Sequence, residues 1–486
     1  MDYSVKSIFK GTSIYTIAKI FNKAGAILLL PILTRLLTPE EYGVIGLLNP
    51  IITFIPLFLA FGLYISQMRD YVKLKNDSEK LGSYIFSLNS FLWGINSLVF
   101  ILLVTPLGKQ LISYLIDYRE IAFYPYVFIA LLIGFIKIFN LMARNYFQTI
   151  HDFKRVGISS IIGFLLSSSI SLFLIYYFDF GALGRIIGKL ISSVFLFIIL
   201  YLTYLKKFKF EFNKKYLTDS LNIGVPMMFS GLLGIIINYS DRIILGKFLS
   251  LDIVGVYSLA YTGANVLNLF ITSFNDTWKP IFYNILKENK DDKKVKDVLV
   301  YFVFILALIS LLGQLFGKEI IYLILPKDFN KTTIFLPLLL PAILMIGVYQ
   351  YLDNFLHYYR DTKFSLIFTS IAVVLNLGIN ILFIPKYGAM VAVWSTIIAF
   401  AVKSILYFIL INIKYNIEFK YYKLFIIVLY ILNPGLIYLV NLDIGLYSFI
   451  LKIIYFILYI ILGIIFIVGI DNMFTISRYI INKKNE

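Results

Sequence analysis

Eight basic side chains interrupt long apolar runs: Lys19, Lys23, Lys137, Arg185, Lys189, Arg242, Lys403 and Lys452. A cation at the centre of a membrane helix costs roughly 2.5–3.5 kcal/mol on insertion scales, so it is turned toward a cavity, a partner or the nearest interface. Helical spacing groups several of them. Thr12, Thr16, Lys19 and Lys23 fall on one helix face, Arg185 and Lys189 are one turn apart, and Asn238, Asp241 and Arg242 share a face. Fixed cations gathered in this way bind an anion. Asp241 would orient Arg242 or carry a coupling proton. The expected binding residues are therefore Lys19, Lys23, Arg242, Arg185, Lys189 and Asn238, with Asp241 coupling or orienting. The competing reading is that the cations snorkel to an interface or pair with acids. Arg185 lies close enough to a span end for it, and Lys137, Lys403 and Lys452 are assigned to it.

The elements that carry these residues follow from composition. Of 486 residues 60% are hydrophobic and 15% charged, against roughly 25% charged in soluble domains. Apolar runs of about 20 residues, enough to cross a bilayer as helix, recur from end to end. They predict an all-α polytopic membrane protein with about fourteen spans: 12–34, 44–66, 83–104, 121–143, 157–178, 182–205, 220–245, 256–277, 298–316, 333–355, 365–384, 389–411, 424–441 and 446–468. The basic start is read as a retained first helix, not a signal peptide. Connections alternate in charge. Basic residues crowd one set, such as Lys206, Lys207, Lys209, Lys214 and Lys215, and are sparse in the other. This bias places both termini in the cytoplasm. It also takes up the net charge of +17, so no nucleic-acid partner is implied.

An internal repeat organises the spans. "RLLTPEEYGVIGL" from Arg35 aligns with "KFLSLDIVGVYSL" from Lys247, 212 residues later. "LGKQLI" from Leu107 aligns with "FGKEII" from Phe316, and "NYFQTIHDFK" from Asn145 with "NFLHYYRDTK" from Asn354, both at 209. "FGAL" from Phe180 aligns with "YGAM" from Tyr387, at 207. The repeat predicts a bundle of six helices over 1–215, a second over 216–415, and two appended helices with a tail over 416–486. Six is even, so the copies are parallel repeats around a central cavity, an architecture suited to alternating access. Between the copies the loop residues are duplicated and the buried cations are not: Lys19 stands opposite Gly231, Lys137 opposite Ile346, Arg185 opposite Ala392 and Arg242 opposite Leu30. Residues that grip one asymmetric ligand need no duplicate.

Other chemistry finds little support. The chain has no cysteine. His151 and His357 sit in the repeated loop block, so no metal site is expected. There is no P-loop and no nucleophile motif, and no cofactor is implied beyond H+ or Na+ as a coupling ion. Glu40 and Glu41 could serve a membrane glycan polymerase, but Thr38 with Glu41 has capping-box spacing and Pro39 suits the first helical position. Gly163, Ser167 and Ser171 read as a packing face. Asn376 and Asn380 either line the cavity or bond between helices.

The block Arg35–Gly43, "RLLTPEEYG", and the stretch "NYSDRIILGKFLSLDIVGVYSLAY" from Asn238 resemble the polysaccharide-export flippases. These belong to a superfamily that includes lipid II flippases and multidrug extruders. The resemblance covers the first twelve spans and extends to the appended pair. It implies a two-bundle fold, no enzyme activity, and a substrate of undecaprenyl-diphosphate-linked oligosaccharide, such as O-antigen or capsule units. Such a substrate would move from the cytoplasmic to the outer leaflet, and the resemblance implies a bacterial or archaeal cytoplasmic membrane. Membrane lipid and a polysaccharide polymerase or assembly machinery are the implied partners. Lys19, Lys23 and Arg242 are the nearest match to the central cavity arginines of the lipid II flippases, whose appended helices form a groove for the lipid tail. Lipid II flippase, multidrug or cation extruder, and membrane glycan polymerase or glycosyltransferase are the alternatives; a basic cavity counts against a cation extruder, and short outer loops count against an enzyme.

Overall fold

A computed structural model describes residues 5–114, 121–288, 292–417, 419, 442 and 444–468, with side chains from residue 14. It has 13 helices long and apolar enough to cross a membrane among the described residues. The expected span at 424–441 lies outside them. The helices are α1 (Val5–Leu36), α2 (Pro39–Leu59), α3 (Leu63–Leu74), α4 (Ser78–Val104), α5 (Pro106–Ser113), α6 (Phe128–Thr149) and α7 (Phe153–Phe178). They continue with α8 (Gly181–Leu196), α9 (Leu202–Leu205), α10 (Lys214–Phe248), α11 (Leu251–Ala264), α12 (Leu267–Glu288) and α13 (Asp292–Ile324). The series closes with α14 (Thr332–Tyr358), α15 (Thr362–Tyr387), α16 (Met390–Tyr415) and α17 (Leu446–Val468). The chain divides into two compact units, Met1–Ser258 and Leu259–Glu486.

One expected span is cut differently. The 44–66 run begins earlier and stops at Leu59, because Phe61 and Gly62 turn into the left-handed region at φ 49° and 65°. A Cβ on Gly62 would lie 2.0 Å from the Gly224 carbonyl oxygen, so only glycine fits. The first copy also breaks at Pro106, where Thr105 caps a new helix and accepts from the Gly108 amide. The second copy has Leu315 at that place and α13 runs straight through. Proline removes an intrahelical hydrogen bond; leucine does not.

The capping box expected at α2 is present. Thr38 Oγ1 accepts the Glu41 amide at 3.2 Å, and the Glu41 carboxylate accepts the Thr38 amide at 2.9 Å. In the second copy the Ser250 hydroxyl donates to Asp252. Thr38→Ala is expected to cost about 1 kcal/mol. A drop of about 1 °C in the apparent melting temperature of the detergent-solubilised chain would register it.

The 209-residue repeat is visible in the backbone. Phe147 O accepts from Asp152 N at 2.9 Å, and Leu356 O from Asp361 N at 2.8 Å. His151 and Arg360, the residues in between, both take φ of 60°. One unusual helix end is thus made twice by different side chains. The two aspartates then part ways. Asp152 accepts the Arg155 amide at 3.1 Å. Asp361 accepts Lys414 Nζ at 2.5 Å and the Tyr415 hydroxyl at 2.7 Å, tying α15 to the end of α16. The Lys414 bond, then that of Tyr415, holds the Asp361 carboxyl below the usual carboxylate range. Its tie to α16 is therefore kept above the ordinary carboxylate pKa and lost as pH falls through the depressed value.

In the first unit α7 and α8 form a close hairpin. A Cβ on Gly188 would lie 2.2 Å from Ser171 Oγ, and one on Gly163 would lie 3.3 Å from Leu196 and Ser192. The expected small-residue face is a packing face. In the second unit Asn376, Asn380 and Ser395 bond to one another between α15 and α16, so those asparagines bond between helices.

Two cations assigned to snorkelling are buried instead. Lys452 on α17 is 0% exposed and pairs with Glu319 of α13 at 2.5 Å. In the first copy the Glu319 position is Gln110. The acid appears only in the copy that α17 packs against. Lys403, 6% exposed, places its ammonium 3.9 Å over the Tyr349 ring. Removing one partner of a buried ion pair costs about 3–5 kcal/mol. Lys452→Ala is therefore expected to free α17 for early proteolysis, whereas Lys452→Met with Glu319→Gln restores wild-type resistance.

Candidate functional site

The first unit gathers basic side chains from three helices. Lys189 on α8 donates to Asn49 Oδ1 of α2 at 2.6 Å. One turn earlier Arg185 donates from Nη1 to Ser171 Oγ of α7 at 3.3 Å. Lys137 of α6 and Arg185 both lie within electrostatic range of Lys189. Tyr42, on α2, lies within range of both Arg185 and Arg242 of α10. The hydrogen-bond acceptors of Arg185 and Lys189 are thus neutral oxygens. Neutral acceptors orient a cation without cancelling its charge, which leaves the group able to bind an anion by charge-assisted hydrogen bonds.

Arg242 is 6% exposed. Its Nη1 donates to the Asn238 carbonyl at 2.8 Å and its guanidinium stands 5.0 Å from the Tyr239 ring. Asn238 holds the arginine through its backbone oxygen, while its own amide donates to the Gly234 carbonyl at 2.6 Å. Asp241 is buried and accepts the Arg242 amide at 2.8 Å on one oxygen and the Tyr257 hydroxyl on the other. It fixes the backbone under Arg242 and joins α10 to α11.

Lys19 and Lys23 are placed differently. α1 packs on α7 through Ala18, Asn22 and Gly25, with Asn22 Nδ2 2.6 Å from Ser160 Oγ. The two lysines lie about 100° and 140° round the helix from Ala18, and both are exposed. Lys19 Nζ sits 4.7 Å over the Tyr15 ring.

Asn49, Tyr42 and Lys137 were not among the expected site residues. Lys137 carried the same mark as the others, an unduplicated charge, but was assigned to snorkelling. Asn49 is a single polar residue in an apolar run, and its lysine lies 140 residues on. An apolar groove of about 570 Å³, lined by Trp93, Phe100, Phe135, Phe139 and Phe197 among others, lies on the side of α6 opposite Lys137. It contributes no charge to the site.

The end of α2 that carries Tyr42 is fixed by two glycines. A Cβ on Gly43 would lie 2.0 Å from the Leu251 carbonyl oxygen, and one on Gly255 1.9 Å from that of Pro39. Gly43 matches Gly255 in the repeat, and Pro39 matches Leu251. The duplicated block therefore meets its own copy, residue against equivalent residue.

Residues 32–333 match the family model described as polysaccharide biosynthesis protein. The chain belongs to this family. Two proteins of Haemophilus influenzae are similar to this family member. An uncharacterised membrane protein is 25% identical over 74% of the chain and 85% of its own length. A protein described as Lsg locus putative protein 1 is 25% identical over 73% and 86%. Among solved structures, the lipid II flippase MurJ in an inward closed conformation superposes with a TM-score of 0.72 at 20% identity, covering 93% of this chain and 98% of that one. An inward-facing multidrug MATE transporter of the MOP superfamily follows at 0.64 and 18%, covering 83% and 94%. The polysaccharide biosynthesis family member thus has the MOP-superfamily fold.

Proposed function

We propose that this protein is a flippase for undecaprenyl-diphosphate-linked oligosaccharide. It would move the repeat unit from the cytoplasmic to the outer leaflet by alternating access of two repeats, 1–215 and 216–415, with 416–486 appended. The carrying observation is that Arg185 and Lys189 are held by the neutral oxygens of Ser171 and Asn49. With Lys137 and Arg242 they offer positive charge to a diphosphate or an acidic glycan. Lys19, Lys23 and Asn238 contribute along the path, and Asp241 keeps Arg242 in place. Family membership supports a glycan substrate, and a coupling H+ or Na+ supplies the driving force. Both termini would lie in the cytoplasm, and a polymerase would receive the product.

A lipid II substrate is the second reading, favoured by the fold match to MurJ. Expression in strains lacking either an oligosaccharide flippase or the lipid II flippase separates the two. Restored surface glycan in the first, and no rescue of growth in the second, is the expected result. Arg242→Ala, Lys19→Ala and Lys23→Ala are each expected to reduce the restored glycan while the protein still inserts. Full complementation by all three, and by the equivalent Arg185 and Lys189 variants, would contradict the cationic site.

A further inference from the structure

Residues 206–213 join α9 to α10 in the first unit as a strap laid along the start of α4. A Cβ on Gly82 would lie 2.9 Å from the Lys207 carbonyl oxygen. Ser83 Oγ donates to the Glu211 carbonyl at 2.8 Å, and Ser87 Oγ accepts the Asn213 amide at 2.8 Å. Lys209 Nζ pairs with Glu79 at 3.0 Å and with Glu211 at 3.1 Å. These seats on α4 fall where its apolar run begins, at 83. The strap therefore lies at the level where headgroups give way to hydrocarbon, between the spans Gly181–Leu205 and Lys214–Phe248.

The strap carries large apolar side chains that the fold leaves uncovered. Phe210 sets its edge against Phe86, with centroids 5.2 Å apart, and is 87% exposed. Phe212 is 53% exposed. The second copy treats the same positions differently. "FEF" from Phe210 aligns with "IEF" from Ile417 at 207, the shift already found at Phe180. Ile417 and Phe419 are buried, with Phe419 edge-on to Phe408 and Phe355 at 5.2 and 6.1 Å. The first-copy equivalents of Phe408 and Phe355 are Tyr201 and Tyr146. Tyr204 stands against both, at 5.8 and 5.1 Å, which takes the place that Phe212 would need.

Four lysines flank the two rings. Lys206, Lys207, Lys214 and Lys215 are exposed, and none of them makes an ion pair among the described residues. Lys209 fastens the strap; the other four are left to the outside. Apolar rings beside clustered lysines at a span end suit an interface of anionic headgroups.

We propose that the strap binds anionic phospholipid, with Phe210 and Phe212 entering the headgroup region beside α4 and the four lysines holding the lipid phosphates. Orienting a loop by charge needs no exposed ring and no seat on α4. The depth of the strap favours lipid over an acidic soluble protein. This holds whatever the chain transports.

The test uses Phe210→Trp in the full chain, reconstituted in phosphatidylcholine mixed with phosphatidylglycerol, one or the other brominated. Bromine quenches a tryptophan that touches the lipid carrying it. The wild type, with Trp93, Trp278 and Trp394, supplies the background. Each lysine near an anionic surface contributes about fivefold. The introduced tryptophan is therefore expected to meet phosphatidylglycerol at least about tenfold more than the bulk ratio gives. That preference is expected to vanish when Lys206→Gln, Lys207→Gln, Lys214→Gln and Lys215→Gln are added, and to weaken in high salt. No quenching by either lipid overturns the proposal and points to a soluble acidic partner. Equal quenching by both lipids, or a preference that survives the lysine substitutions, overturns binding of anionic lipid by the strap.

Discussion

Replacing Arg185 and Lys189 together by glutamine is expected to abolish export of surface glycan while the protein reaches the membrane in normal amount. The hairpin of α7 and α8 packs through Gly163 and Gly188, which these substitutions leave in place. The positive charge is lost, and an amide that can still donate takes its place. A hydrogen bond to a charged group contributes about 1.5–3 kcal/mol, and tenfold in affinity is about 1.4 kcal/mol. On the proposed function each cation is therefore worth about one to two decades in holding a diphosphate. Lys137→Gln alone should weaken export by about tenfold on the same scale. Membrane immunoblots beside glycan staining read both quantities. Wild-type glycan in the double variant would remove the site.

The second large effect is expected at the two glycines. In Gly43→Leu the new side chain begins 2.0 Å from a backbone carbonyl of α11, and nothing flexible is there to give way. Overpacking costs about 1–3 kcal/mol where side chains can move, and the cost at a backbone contact lies at or beyond that range. Gly43→Leu should therefore separate α2 from α11. A crosslink reads this directly, because the chain has no cysteine of its own. A Cβ on Gly46 would lie 3.2 Å from that of Ser258, close to the spacing of about 3.5–4.5 Å that a disulfide needs. Gly46→Cys with Ser258→Cys is expected to crosslink readily, and to stop doing so when Gly43→Leu is added. Undiminished crosslinking in the triple variant would contradict the packing.

Part of this was legible in the sequence, and the remainder depends on tertiary neighbours. The capping box at Thr38, the small-residue face of α7 and the repeat depend on residues close together or on a fixed offset. The unduplicated charges marked Arg185, Lys189 and Arg242. Lys452 was misread because its partner Glu319 lies 133 residues away on a different helix. Asn49 was passed over for the same reason, since the lysine that donates to it lies 140 residues on. The stop at Phe61–Gly62 was hidden because the residues around it are all apolar, and hydropathy does not register a left-handed backbone. The two units also differ in a way that the repeat alone could not show. One carries cations on neutral acceptors and the other a half-buried acid, Asp353, with its histidine, His357.

Binding of undecaprenyl diphosphate to the purified chain tests the central claim most directly. Titration into nanodiscs should give an affinity that falls at least about tenfold in the Arg185→Gln, Lys189→Gln variant, with a weaker dependence on salt than the wild type shows. Equal affinity and equal salt dependence in the two proteins would contradict the account.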